Sequence, residues 1–245
     1  MTDAVKSAKP VLYINGDSHS AGAEAVVPFS FAEDDPWEFP PPNRQPHPKN
    51  VVASFGNVLA DLLGWDAVNN SESASSNQRI IRTTEEWLAD NPKPNLVLIG
   101  WSTWEREEWL HEGTYYQVNA SGTDMVPDDL RDKYKQWIIK QADKELELEL
   151  DWHEKIWSWH QDLENRDIPH LFFNTYSYFH RFAAEQMVRP QWGSSYIAPY
   201  DREYTYYFWL KDQGFSTVNE HSYHYGVDAH QAWANFLQKQ VDNSG

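Results

Sequence analysis

The chain has 245 residues, enough for one domain with a substantial core, and its 37 acidic against 20 basic side chains give a formal charge of −17. That balance argues against nucleic acid or an anionic membrane as a partner, and the absence of cysteine removes disulfides, thiolate metal sites and a cysteine nucleophile. No apolar run approaches the length of a membrane span, and Met1 to Pro10 lacks the apolar centre of a signal peptide, so the expectation is a soluble protein of the cytoplasm or of a virion.

Val11 to Ile14 is a short continuous apolar run, the pattern of a strand buried on both faces, and it empties into Gly16-Asp17-Ser18-His19-Ser20. Ser18 therefore sits at the carboxyl end of a strand, where open α/β sheets bind ligands. Residues 28–49, with Pro40-Pro41-Pro42, read as a long surface loop. Asn50 is the expected N-cap of a helix carrying Val52, Phe55, Leu59 and Leu62, with Gly64 as its stop. A β-prone piece, Ala67-Val68-Asn69, follows. Ser76 or Asn77 caps the next helix, which runs through Ile80, Thr84, Trp87 and Leu88 to Asn91-Pro92.

Residues 95–100 form a further buried strand. From Asp128 to about Asn165 the pattern predicts a long helical region, interrupted once, with Leu146, Leu150, His153, Trp157, His160 and Leu163 on one stripe. Residues 169–174 are another central strand, and a last helix starts near Val227 with Trp233, Phe236, Leu237 and Val241. Strands alternating with helices predict an α/β protein with a parallel sheet covered on both faces. Stretches at about 28–49, 101–165 and 176–214 read as insertions in a single domain.

Four blocks carry the candidate chemistry: Gly16 to Ser20, Asn69 to Arg79, Gly100 to Glu107, and His221 to His230. The first three each follow a β-prone run, which places them on one rim of the sheet. A serine becomes a competent nucleophile when a base within hydrogen-bond reach takes its proton, and the fourth block, about two hundred residues away, carries histidines. The same block allows a metal reading, with His221, His224, His230 and Asp228 as ligands, but no second carboxylate motif accompanies it. Arg79 and Arg106, beside the second and third blocks, fit either an acidic substrate group or a structural pairing with carboxylates.

On these blocks the chain resembles the SGNH, or GDSL-type, hydrolases, a family of serine esterases and lipases, and within it a subgroup of phage and marine bacterial proteins. The resemblance implies a three-layer α/β/α, flavodoxin-like fold with Ser18 as nucleophile and His224 as general base, and it implies no cofactor or metal. It implies an oxyanion pocket of the Ser18 backbone N–H, the backbone N–H at Ala74 (or Ser75), and Ser102 in place of the family's asparagine. His221 stands at the family's aspartate position, so Glu220, Asp228, a backbone carbonyl or neutral His221 remain open as the group that orients His224.

Aromatic residues make up 15% of a chain whose mean hydropathy is −0.74, so many rings are expected at surfaces or clefts. Trp192 and Tyr196, in the aromatic stretch before the last block, are the expected walls of the site together with Arg106; a packed structural lid fits the same stretch equally well. The function expected is hydrolysis of a small-molecule or glycan ester, with an O-acetylated carbohydrate as the preferred class. The alternative is a weakened or inactive relative that binds glycans or serves a structural role, for example in a phage particle. The oligomeric state is not legible in the sequence.

Overall fold

The computed structural model describes residues 9–31, 45–120, 126–141, 144–181 and 189–244. Met1 to Ala8 and Pro40-Pro41-Pro42 of the expected surface loop lie outside them. The sheet holds β1 (Val11–Asn15), β2 (Asp66–Asn69), β3 (Leu96–Trp101) and β6 (His170–Asn174), all parallel, in the order β2-β1-β3-β6. This is the doubly wound order in which the chain reverses direction across the sheet beside β1. The crevice between the carboxyl ends of β1 and β3 is thus the expected place for a ligand.

Alternation along the strands sorts two cores. Leu12, Ile14, Leu98 and Phe173 face one side and pack with Phe55 and Leu59 of α2 (Phe55–Leu63), Leu210 of α6 (Tyr206–Asp212) and Trp233 and Leu237 of α7 (Val227–Ser244). Tyr13, Val97, Ile99 and Phe172 face the other side, against Ile80 of α3 (Asn77–Asp90) and Trp152, Ile156 and Leu163 of α5 (Glu145–Asn165). Every residue of β3 and β6 is buried, which explains why these strands read as unbroken apolar runs. The result is the three-layer α/β fold that the resemblance implies.

The helix expected from Asn50 is two helices. α1 (Pro48–Ala53) is capped by His47, whose ring accepts the Lys49 N–H, with proline at the first helical position. Asn50 is buried within α1 and serves a different purpose: its Oδ1 accepts the N–H groups of Val26 and Val27, both at 2.9 Å, and its Nδ2 donates to the Phe29 carbonyl at 2.6 Å. The chain straightens at Ser54, so Val52 faces solvent at 70% exposure while Phe55 and Leu59 are buried; Gly64, at φ 70°, ends α2 in the left-handed conformation.

The helical region after Asp128 is interrupted once, giving α4 (Arg131–Gln141) and α5. Before it lies an element that the helical and strand patterns left unread, the antiparallel hairpin of β4 (Glu107–His111) and β5 (Thr114–Val118), turning on Glu112-Gly113, both at positive φ. Trp109 and Val118 of the hairpin join Val126, Tyr134 and Trp137 in a small core of their own. The hairpin also braces the site loops, because Gln117 Oε1 accepts the Ser76 N–H at 2.9 Å and Arg82 of α3 pairs with Glu108 at 2.7 Å.

Among the described residues, no helix is long and apolar enough to cross a membrane, and no group of three His, Cys, Asp or Glu could hold a metal ion.

Candidate active site at the carboxyl edge of the sheet

The turn after β1 is fixed by what surrounds it. A Cβ on Gly16 would stand 2.2 Å from Ser20 Oγ and 2.9 Å from the Gly100 carbonyl, so only glycine lets this turn lie against the end of β3. The turn then coils back on itself, with the Ala21 N–H donating to the Asp17 carbonyl and the Ala23 N–H to the Ser18 carbonyl, both at 2.9 Å. Asp17 is buried below the turn. Its Oδ1 accepts the His19 N–H, and its Oδ2 accepts the hydroxyls of Ser102 (3.1 Å) and Thr175 (3.2 Å) and faces Arg106 at 3.4 Å. One carboxylate therefore ties together the loops that follow β1, β3 and β6.

Above that anchor, Ser18 Oγ is 2.8 Å from His224 Nε2, and His224 Nδ1 is 2.6 Å from Glu24 Oε2. A proton on Nδ1, held by the carboxylate, leaves Nε2 as the acceptor that faces the serine hydroxyl. Glu24 is fixed in turn. The Ser222 hydroxyl donates to the same Oε2, and it also accepts the backbone N–H of His224 at 2.9 Å. The hydrogen bond from His224 is the main cause that holds the Glu24 carboxyl below its ordinary value; burial opposes it. Glu24 reaches the ring from a backbone at φ 63°, a conformation costly to a residue with a side chain and tolerated where surrounding structure demands it.

His221 does not orient His224. Its ring is 87% exposed and lies against Glu220, because the chain from Asn219 to Ser222 turns outward while Glu24 fills the space behind the His224 ring. Sequence reasoning missed Glu24 because it sits six residues after Ser18 instead of within the last block. The signal available was that Glu24 is the one acidic residue between Asp17 and Glu33.

A cavity of about 390 Å³ opens over the pair, and Ser18, His19, Ser73, Ala74, Thr103, Arg106, Tyr176, Tyr223 and His224 are among the residues that line it. Ala74 lies on its wall at φ 68°. Ser102 does not line the cavity: it is fully buried, its hydroxyl donates to Asp17, and its backbone is clamped on both sides by the Asn77 amide. The adjacent Thr103 does line it, and its hydroxyl is buried without a hydrogen-bond partner, as is that of Ser73. Arg106 Nη1 donates to Ser102 Oγ at 2.9 Å and brings a positive charge to the same wall. Arg79 instead pairs with Glu72 at 2.8 Å, a structural role.

Two histidines beside the pair are neutral near pH 7. Burial lowers His19, edge-on to the His224 ring, to about 4, and lowers His230, whose Nδ1 accepts the Phe55 N–H, to about 3. Trp192 and Tyr196 are not walls of the cavity. Both are buried in the core beneath α5, where Trp192 donates to the Tyr200 hydroxyl and Tyr196 to Asn174 Oδ1, and the rings that reach the cavity are Tyr176 and Tyr223.

The sequence profile of one family matches residues 45–182, more than half of the chain. The chain belongs to DUF6071, a family of unknown function. Ala74, Ser102, Thr103, Arg106 and Tyr176 fall inside the DUF6071 match; Ser18, Glu24 and His224 fall outside it. No curated protein matches the chain.

Solved structures similar to this DUF6071 chain include a carbohydrate esterase whose active site displays divergent catalytic and non-catalytic binding functions, at 14% identity over 98% of this chain and 67% of that one, with a TM-score of 0.45. Another is a carbohydrate esterase family 2 enzyme with a carbohydrate binding domain from Corynascus thermopiles (Myceliophthora fergusii), at 13% identity over 99% and 68%, TM-score 0.45. A third is an acetyl xylan esterase from the rumen bacterium Butyrivibrio proteoclasticus, at 12% identity over 98% and 65%, TM-score 0.44.

Proposed function

We propose that this chain is a serine esterase that transfers an acyl group to water, with Ser18 as nucleophile, His224 as general base and Glu24 as the carboxylate that orients His224. The observation that carries the reading is the unbroken line from Ser18 Oγ through the His224 ring to Glu24, at 2.8 and 2.6 Å, with Ser18 and His224 lining an open cavity. In the first half-reaction Ser18 Oγ attacks the ester carbonyl carbon while its proton passes to His224 Nε2, and Glu24 stabilises the imidazolium that forms. Collapse of the tetrahedral intermediate breaks the bond to the alcohol, which takes the proton back from His224. Water then repeats the sequence on the acyl-serine and releases the acid.

The negative charge that develops on the carbonyl oxygen needs donors already in place. The backbone N–H groups of Ser18 and Ala74 fill part of that role, and the unpartnered Thr103 hydroxyl is the side-chain donor that Ser102, committed to Asp17, does not present. Arg106 adds positive charge to the same wall. A cavity of about 390 Å³ with tyrosines in its lining suits a small acyl group on a sugar, so an O-acetylated carbohydrate is the substrate class we assign.

Labelling with a fluorophosphonate probe tests the reading. The expected result is one adduct on Ser18, lost in Ser18→Ala. An unlabelled protein that still binds oligosaccharides would replace the esterase by a glycan-binding relative, a reading favoured by the commitment of Ser102 to Asp17.

A further inference from the structure

A second cavity, of about 300 Å³, adjoins the first. It is lined by Trp104, Tyr176, Tyr178, His180, Arg202 and Phe208, and Tyr176 belongs to both. The Tyr176 ring packs against Phe208 on the side of the second cavity (centroids 5.2 Å apart) and against Tyr223 on the side of the first (6.2 Å), so one run of aromatic surface leads from Ser18 outward. Flat rings of this kind match the apolar faces of a pyranose.

The polar groups are more specific. The Arg202 guanidinium carbon lies over the Phe208 ring, 3.7 Å from its centroid. A cation over a ring face keeps N–H donors available for a ligand. In this acidic chain Arg79, Arg82, Arg106, Arg131 and Arg166 each pair with a carboxylate. Arg202 pairs with none among the described residues, although Asp201 and Glu203 flank it in sequence. His180 also lines this cavity, with Nδ1 3.1 Å from a carboxylate oxygen of the buried Glu149. The Trp104 indole N–H, on a side chain only 6% exposed, has no hydrogen-bond partner.

We infer that this second cavity binds the sugar of the substrate's alcohol part, and that the sugar is acidic, with its carboxylate held by Arg202. The inference rests on the esterase reading for the order of the two cavities, acyl group over Ser18 and sugar beyond Tyr176. Binding of the acidic sugar itself does not require catalysis, and that separates the two claims.

Trigalacturonate, which carries no ester, is titrated into the wild-type chain, with neutral cellotriose as the control, and hydrolysis of p-nitrophenyl acetate is measured on the same preparations. Trigalacturonate is expected to bind at least about tenfold more tightly than cellotriose, the scale of one charge-assisted pair. Arg202→Gln should remove that difference, and Phe208→Ala should weaken both sugars. Arg202 is exposed, so its loss leaves the core intact, and an unchanged thermal midpoint checks Arg202→Gln.

Equal affinity for the two sugars, no binding of either at millimolar concentration, or an Arg202→Gln variant that keeps the preference would each overturn the inference. Arg202-dependent binding without any ester hydrolysis would keep the acidic-sugar site and remove the esterase reading. Hydrolysis without a preference would do the opposite.

Discussion

Among the described residues, histidines meet aromatic rings both under α5 and at the carboxyl edge of the sheet, and the polar surroundings of these two regions differ. Under α5, His160 and His170 touch through their ring nitrogens at 2.7 Å, His153 meets the Tyr200 hydroxyl at 2.9 Å, and Trp157 and Trp192 close around them. Burial lowers all three histidines, His153 to about 4, so they stay neutral and act as polar packing. At the carboxyl edge of the sheet, His224 is partly exposed, faces a serine hydroxyl on one nitrogen and a carboxylate on the other, and opens onto a cavity. A carboxylate and a route to solvent set His224 apart from the histidines packed under α5.

The largest test of that contrast is to remove the pair. Ser18→Ala or His224→Ala should lower kcat for ester hydrolysis by about four orders of magnitude or more, while His160→Gln should leave kcat within about twofold and lower only the thermal midpoint. Equal effects from the two regions would erase the distinction.

Glu24→Gln keeps the shape and removes the charge, and kcat should fall by about 10² to 10⁴-fold with KM little changed. Against it, His221→Ala should be neutral, since that ring is exposed and away from His224. Thr103→Val asks whether the unpartnered hydroxyl donates to the oxyanion; the expected loss is about 10 to 10²-fold in kcat, with Ser102→Ala changing stability more than rate.

Trp192→Ala addresses the other region. Loss of a large side chain from a filled core should cost about 3 to 5 kcal/mol in unfolding free energy, measured by denaturant titration, without changing kcat/KM of the folded fraction.

The smallest effect is in pH. His19 and His230 bind protons near 4 and 3 when folded and near 6.5 when unfolded, so the unfolded state takes up more protons between those limits. Stability is therefore full above about pH 6.5 and declines as pH falls toward 4. His230→Asn, which keeps an acceptor for the Phe55 N–H, should flatten part of that decline in thermal midpoints taken across the range.

The sequence by itself determined the parallel sheet, because β1, β3 and β6 carry apolar stretches suited to burial on both faces and alternate with helical segments. It also placed Ser18 after the first strand and His224 in the last block, since a glycine turn and a histidine-rich loop are local features. Tertiary structure decided the rest. Glu24 reaches His224 across 200 positions of chain through a backbone at positive φ, which no periodicity encodes.

Trp192 and Tyr196 went to the core, and Tyr176 and Tyr223 to the cavity, because an aromatic side chain is equally suited to either and only the packing of α5 on the sheet chooses. Ser102 lost its expected role to the buried Asp17 carboxylate, whose need for hydrogen bonds is satisfied by the three loops that it joins. Local chemistry is written along the chain; the partner of each polar group is a matter of distance in space.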